Sequence, residues 1–166
     1  SGADQLTGDS NANRINGGGG NDILNGLGGD DTYWFEDSFG ADTVVEAAGE
    51  GMDTFDFRAL SGAIAVTIEE LTITAVAAGS QVIHNGQQVE NLIGGLSADS
   101  FIFVDNAKLA GTLDGWIGSD ILDFSGVDHN VELLLTAAGS QDGFAGALAA
   151  IAGGFNNINA IIGSSL

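Results

Sequence analysis

Leu6, Ile15, Leu24 and Tyr33 are large apolar residues spaced by nine along an otherwise polar, glycine-rich stretch. Two positions before each stands Asp4, Asn13, Asp22 or Asp31, with the same spacing. The period reads G-G-x-G-x-D-x-U-x, a six-residue turn followed by a three-residue strand in which U is large and apolar. Gly17–Asn25 fits it throughout, Gly26–Trp34 departs at Leu27, Gly8–Asn16 carries Asn13 in place of Asp, and Ser1–Thr7 is the tail of an earlier copy. A flexible acidic linker has no reason to hold four apolar residues in register. A fixed period predicts stacked repeats in which each strand buries U against the next.

The pattern continues with longer steps. Asp37-Ser-Phe-Gly-Ala-Asp42 and Ala48-Gly-Glu-Gly-Met-Asp53 are further turns at eleven-residue intervals, with Val44 and Phe55 in the U positions. Residues 58–93 lose the period. Ala63–Thr74, Ser80–His84 and Gln88–Ile93 read as strands, with turns at Gly79 and Asn85-Gly86. The repeat returns at Gly94-Gly-Leu-Ser-Ala-Asp99 and Gly115-Trp-Ile-Gly-Ser-Asp120. A longer echo relates Asp53-Thr-Phe-Asp-Phe to Asp120-Ile-Leu-Asp-Phe, 67 residues later; each copy then carries a β-rich stretch, an Ala-Ala-Gly-Ser, and Leu92-Ile-Gly-Gly or Ile161-Ile-Gly-Ser. In the second copy, Phe144–Phe155 is rich in Ala and Gly and is expected to form a short helix or a lid. Joined end to end, the last and first residues of the chain complete a nonapeptide, so the chain is expected to be one unit of a larger tandem array.

The nonapeptide resembles that of the RTX, or haemolysin-type, calcium-binding family of secreted bacterial proteins. The close match covers residues 1–57, with a partial return at 94–124. The resemblance implies an all-β fold, a right-handed parallel β-roll or β-helix stabilised by several Ca2+ ions, divided into a 1–57 roll and a 58–166 continuation with degenerate repeats at 94–102 and 115–123. Two nonapeptides make one coil of 18 residues. Asp4, Asp22 and Asp42 then lie on one edge of the roll and Asn13, Asp31 and Asp53 on the other, while Asp99 and Asp120 share an edge. Adjacent coils sit ~4.8 Å apart. Stacked carboxylates at that spacing repel by roughly 1 kcal/mol per pair in water, and a hard cation between turns reverses the sign. Calcium takes 6–8 oxygen ligands in flexible geometry, whereas magnesium demands an octahedron. The implied ligands are the side chains of these eight residues and the turn positions Gly2, Asn11, Gly18, Gly20, Gly29, Gly40, Gly49 and Gly51, whose backbone oxygens approach an ion closely. Asn13 should weaken its site. The alternative calcium loop starting Asp9-x-Asn11-x-Asn13 fails, because an EF-hand requires Gly where Arg14 stands and Glu where Gly20 stands.

Composition supports a cation as partner. The formal net charge is −20, from 23 acidic and 3 basic residues (Arg14, Arg58 and Lys108), and twelve of the acidic residues fall in 1–57. Such a chain repels nucleic acid and anionic membranes. A hydrophobic content of 44% suffices for a core. Cys is absent, which removes thiolate ligands, disulfides and thiol catalysis together. No apolar run approaches a membrane span. Absence of Cys and Pro also suits export in an unfolded state, followed by folding outside the cell.

No catalytic set stands out. His129 follows Asp128 near Ser125 and reads as a surface turn; His84 precedes Asn85-Gly86 and reads as a turn residue. Gly139–Gly143 places its serine one position early for a nucleophile elbow, and Gly17–Gly20 lacks the Lys-Ser/Thr of a phosphate loop. Trp34 and Trp116 read as packing residues. The expected function is therefore a non-enzymatic, calcium-binding structural module of a large secreted or surface-attached bacterial protein, an adhesin, surface-layer or toxin-like chain. Its expected partners are calcium and neighbouring repeats. An accessory module of a secreted protease, lipase or polysaccharide epimerase is the alternative, as is a module that binds a cell-surface glycan or ice.

Overall fold

The structure, a computed structural model, describes residues 2–164. The proposed joint between the chain ends involves Ser1, Ser165 and Leu166, which lie outside the described residues. Seventeen strands and no helix make up the described part. The first six alternate between two facing sheets: β1 (Gln5–Thr7), β3 (Ile23–Asn25) and β5 (Ala41–Val45) in one, β2 (Arg14–Ile15), β4 (Thr32–Glu36) and β6 (Asp53–Ala59) in the other. Neighbours within each sheet are parallel. Leu6 pairs with Leu24 and Ile15 with Tyr33, 18 residues apart, and the longer turns stretch the next steps to Leu24 with Val44 and Tyr33 with Phe55. Alternation of side chains sends each U inward: Leu24, Tyr33, Val44 and Phe55 are buried.

A wholly parallel roll does not continue from there. After β6 the chain makes an antiparallel three-stranded meander, β7 (Ala65–Ile68), β8 (Thr72–Ala77) and β9 (Ser80–Asn85), inside the first sheet. Parallel alternation resumes with β10 (Val89–Ile93), β11 (Ser100–Val104), β12 (Leu113–Asp114) and β13 (Ile121–Gly126). A second antiparallel meander, β14 (Leu133–Ala138), β15 (Phe144–Leu148) and β16 (Ile151–Ile158), then joins the other sheet, and β17 (Ala160–Ile162) returns to the first. Both sheets are therefore mixed, with orders β1-β3-β5-β9-β8-β7-β11-β13-β17 and β14-β15-β16-β12-β10-β6-β4-β2. The fold is all-β as expected, but the expectation of a parallel β-roll or β-helix continuing through residues 58–166 is corrected by these two meanders. Each occupies an aperiodic stretch between a nonapeptide strand and the next, β-branched in the first and rich in Leu, Ala and Gly in the second, where no turn aspartate dictates a crossing to the opposite sheet. The helix or lid expected at Phe144–Phe155 is likewise corrected: these residues are β15 and most of β16, an antiparallel pair that buries Leu148, Ile151 and Phe155 against the core.

One apolar cluster runs between the sheets. Its centre is aromatic, with Phe35 stacked on Phe57 at 5.1 Å and Tyr33 edge-on to Phe55 at 6.1 Å. His84, expected in a turn, is instead buried in β9, where Nδ1 lies 3.2 Å from the Val44 carbonyl and Nε2 accepts the Gln88 N–H.

Candidate metal centre

The turn aspartates stand at the entry of each strand and form two columns, one along each edge of the molecule. Most parallel turns entering the nine-stranded sheet present the same bond to a neighbour, with Ser80 Oγ accepting from Gly40 at β9 as the exception. Asp22 Oδ1 accepts the Asp4 N–H at 2.8 Å, and Asp42 Oδ1 accepts the Asp22 N–H at 3.0 Å. Later in the same sheet, Asp99 Oδ1 accepts the Ile64 N–H, Asp120 Oδ1 the Asp99 N–H and Asn159 Oδ1 the Asp120 N–H, at 2.8–2.9 Å. At the opposite edge, Asp31 Oδ1 accepts from Asn13, Asp53 Oδ1 from Asp31 and Glu90 Oε2 from Asp53. The eight candidate side chains thus fall on the edges expected of them, each tied through one carboxylate or amide oxygen or its own N–H to an adjacent coil. Glu90 and Asn159 belong to the same columns and were missed. Both stand two residues before a strand residue in the U register, Leu92 and Ile161, the offset that relates Asp22 to Leu24.

The second oxygen of these carboxylates is the informative one. Asp22, Asp31, Asp42 and Asp120 each have a buried Oδ2 without any hydrogen-bond partner. Room for the Asp22, Asp31 and Asp120 oxygens is left by the first glycine of their turns: a Cβ on Gly17 or Gly26 would collide with Asp22 or Asp31 Oδ2, and one on Gly115 would lie 2.7 Å from Asp120 Oδ2. A buried carboxylate oxygen left unpaired costs several kcal/mol. Burial accordingly pushes the carboxyl groups of Asp31 and Asp99 upward, those of Asp42 and Asp53 to about 6, and that of Asp120 to about 7.

Charge is densest beside Asp31. One oxygen from each of Asp31, Glu46 and Asp53 lies within 4.8 Å of the others, and all three residues are buried. Glu46 lies outside the repeat register and no sequence signal points to it. The Tyr33 hydroxyl accepts the Gly26 N–H at 2.6 Å and donates to Glu46 Oε1, which leaves Oε2 buried and unpaired. Burial, with Asp53 and Asp31 as like charges, raises the Glu46 carboxyl to about 7. Among the described residues no Lys or Arg forms an ion pair with any of the three. Hard oxygen donors without a protein cation are what calcium coordinates, so the residues present fit that ion.

The backbone positions divide into two kinds. Gly18 and Gly49 sit at the turn apices with positive φ and open space around them. Leu27, Ser38 and Trp116 take the same second position with φ of 64–69°, so the turn holds this conformation even where glycine is replaced. Gly20, Gly29, Gly40 and Gly51 lie against the preceding coil: a Cβ on Gly20 would collide with the Gly2 carbonyl, on Gly29 with the Asn11 backbone and on Gly51 with the Gly29 carbonyl. The Gly20 and Gly40 carbonyls already accept ladder bonds from Ala41 and Gln81. Asn11 folds locally, its N–H and Nδ2 both donating to Asp9 Oδ1.

A separate cluster lies at an exposed turn pair, where His129 Nδ1 stands 3.2 Å from Asp105 Oδ1 and 3.6 Å from Asp128 Oδ1. Trp34 and Trp116 are not core residues: both are half-buried on an outer face.

No curated protein matches the chain. Residues 1–33 match the RTX calcium-binding nonapeptide repeat in four copies, and the first coils of this protein are RTX repeats.

Proposed function

We propose that this chain is a calcium-dependent structural module of an extracellular bacterial protein, of the adhesin, surface-layer or toxin-like kind, and that it carries out no catalysis. The observation that carries the reading is the set of buried, unpartnered carboxylate oxygens at Asp22, Asp31, Asp42 and Asp120, with Glu46 Oε2 beside them. In this reading Asp4, Asp22 and Asp42 hold ions along one edge, Asp31, Glu46 and Asp53 along the other, and Asp99 and Asp120 further on. The N-terminal coils form a right-handed roll, the hand that parallel crossovers take.

Calcium acts here through linkage. The carboxylates converge only when the coils are stacked, so the free energy of ion binding becomes free energy of folding. Where calcium is scarce, carboxylate repulsion and desolvation keep the chain open and exportable; at roughly millimolar calcium, the range of extracellular modules, the coils close. Circular dichroism of the chain in excess EDTA and after calcium addition tests this. A gain of β signal with a saturable calcium midpoint is expected. The same β signal in both conditions would sink the proposal.

A further inference from the structure

Outside the calcium columns, a second set of metal-ligating side chains meets where two successive coils turn side by side. After β11 the chain turns through Asp105, and after β13 through Asp128 and His129. Asp105 Oδ1 accepts the Asp128 N–H at 3.1 Å, which brings the three side chains to one corner of the surface. His129 Nδ1 lies 3.2 Å from Asp105 Oδ1 and 3.6 Å from Asp128 Oδ1. One donor atom from each residue falls within 4.8 Å of the other two. A single proton on Nδ1 serves the shorter contact, and the longer one exceeds a hydrogen bond. Among the described residues no Lys or Arg pairs with either carboxylate. Hydrogen bonding therefore does not account for two acids converging on one imidazole nitrogen.

The internal echo supplies a control, because the same turn pair occurs earlier, after β4 and β6. The Leu60 N–H donates to the Phe57 carbonyl as the Val127 N–H does to that of Phe124. Asp37 Oδ1 accepts the Ser61 N–H at 3.0 Å, as Asp105 Oδ1 accepts that of Asp128. Ser38 and Asn106 share one conformation, at φ 64° and 62°. Only the side chains differ. The first pair presents Ser61 and Gly62, and the Ser61 hydroxyl donates to Asp37 Oδ2 at 2.6 Å, so both oxygens of its one carboxylate are bonded. The second pair presents Asp128 and His129 at those positions. The backbone of the corner needs neither, since serine and glycine close it. Asp128 instead adds a like charge beside Asp105, which a protein of formal charge −20 does not favour without a cation.

We propose that Asp105, Asp128 and His129 bind a divalent transition metal of the zinc class, at a site separate in place and chemistry from the calcium columns. Tetrahedral zinc, with nitrogen and carboxylate ligands at about 2.0–2.2 Å, holds its donors about 3.3–3.6 Å apart. The two separations at Nδ1, 3.2 and 3.6 Å, match that spacing. An imidazole ligand selects against calcium and magnesium, which take oxygen, and suits zinc, copper and nickel. Three protein donors leave the remaining position to water on the open side of the corner. Lys108 and Glu132 line the adjoining cleft of about 180 Å³ with His129 and carry opposite charges, so the field at the site is set by its own ligands.

The probe is zinc chloride, titrated calorimetrically into the full chain at roughly millimolar calcium. One saturable zinc per chain is expected, retained under that excess of calcium. Asp128→Ser combined with His129→Gly rebuilds the first turn pair. It should leave the circular dichroism spectrum and its calcium midpoint unchanged while zinc affinity falls about a hundredfold. His129→Ala, at an exposed position, should lower affinity about tenfold by itself. No saturable uptake by the parent protein, uptake that calcium abolishes, or undiminished uptake by both variants overturns the proposal. The titration uses the folded chain in calcium whether or not calcium drives folding, so its outcome is distinct from that of the calcium reading.

Discussion

Replacing Glu46 by Gln changes one charge in the Asp31–Glu46–Asp53 cluster and little else, because Gln retains an oxygen to accept the Tyr33 hydroxyl. The three oxygens lie within 4.8 Å of one another. Two ionised carboxylates at that distance repel by roughly 1 kcal/mol in a water-like medium and about 3 kcal/mol at the effective dielectric of a protein site. The rise of the Glu46 carboxyl to about 7, caused first by burial and then by Asp53 and Asp31, caps the whole cost of ionising it at about 3 kcal/mol at pH 8, so the substitution stabilises the calcium-free fold by about 1–3 kcal/mol there. At pH 5 Glu46 is already protonated and the substitution should be nearly silent. Calcium inverts the ranking. The parent protein has three anionic donors to offer and the variant two, so the stability gained on adding calcium must be smaller in Glu46→Gln. Urea midpoints in EDTA and in calcium, at both pH values, give all four comparisons; trimethylamine N-oxide brings the chain into its transition where it is unfolded without the ion. A variant less stable than the parent in EDTA at pH 8, or one that gains as much from calcium, refutes the cluster as a metal centre.

Three further outcomes follow from the same structure. Asp42 and Asp53 titrate at about 6 and Asp120 at about 7 in the calcium-free fold, above the ~4 of an unfolded chain. The folded state then holds more protons, so this contribution to stability is fully present below pH ~4 and is lost as pH rises through 6 to 7; urea midpoints in EDTA, with the same trimethylamine N-oxide present to populate the fold, should fall between pH 5 and 8, and a rise would contradict the assignment. Gly20→Ala drives a Cβ into the Gly2 carbonyl and should cost about 3 kcal/mol, whereas Gly18→Ala, with open space around it, should cost about 1 kcal/mol from its positive φ alone. Thermal unfolding in calcium ranks the two, and equal losses would count against the close coil contact. Phe55→Ala empties the centre of the aromatic cluster and should cost about 3–5 kcal/mol in calcium by urea titration.

Two features of the fold were legible because each has a fixed offset in the chain. An apolar residue two places after an aspartate is one period-2 step along a strand, so the turn edge and the buried U follow from the same count. Leu24, Tyr33, Val44 and Phe55 are buried as that count requires, and the aspartates line up along the edges. Glu90 and Asn159 keep that offset before Leu92 and Ile161 but follow no glycine turn of the repeat and are not aspartates, so the motif passes over them; the other features that escaped have no fixed offset. Glu46 reaches the site from a lengthened turn, and its role depends on the Tyr33 hydroxyl across the coil. His84 precedes a turn in sequence, yet its ring faces inward because β9 inserts beside β5, where Val44 waits. The direction of the meanders was likewise hidden, because an apolar strand pattern reads the same whether its partner runs parallel or antiparallel.

The 67-residue echo explains how two such insertions are accommodated. The Asp53 copy opens on β6, in the eight-stranded sheet, and its meander enters the opposite one; the Asp120 copy opens on β13, in the nine-stranded sheet, and its meander also enters the opposite one. In both copies the last meander strand pairs with the preceding strand of its sheet, β9 with β5 and β16 with β12. Each meander lengthens its sheet by two strands, roughly 10 Å of stack. Were both in one sheet, the two walls would grow unequally and the facing core positions would lose register. Between β6 and β13 the chain crosses the core five times, from β6 to the first meander, then to β10, β11, β12 and β13. An odd number of crossings places equivalent segments in opposite sheets, so the second insertion offsets the first. The nonapeptides between the copies therefore set the phase of the architecture as well as supplying Asp99 and Asp120: removing a single crossing would stack both meanders on the same side.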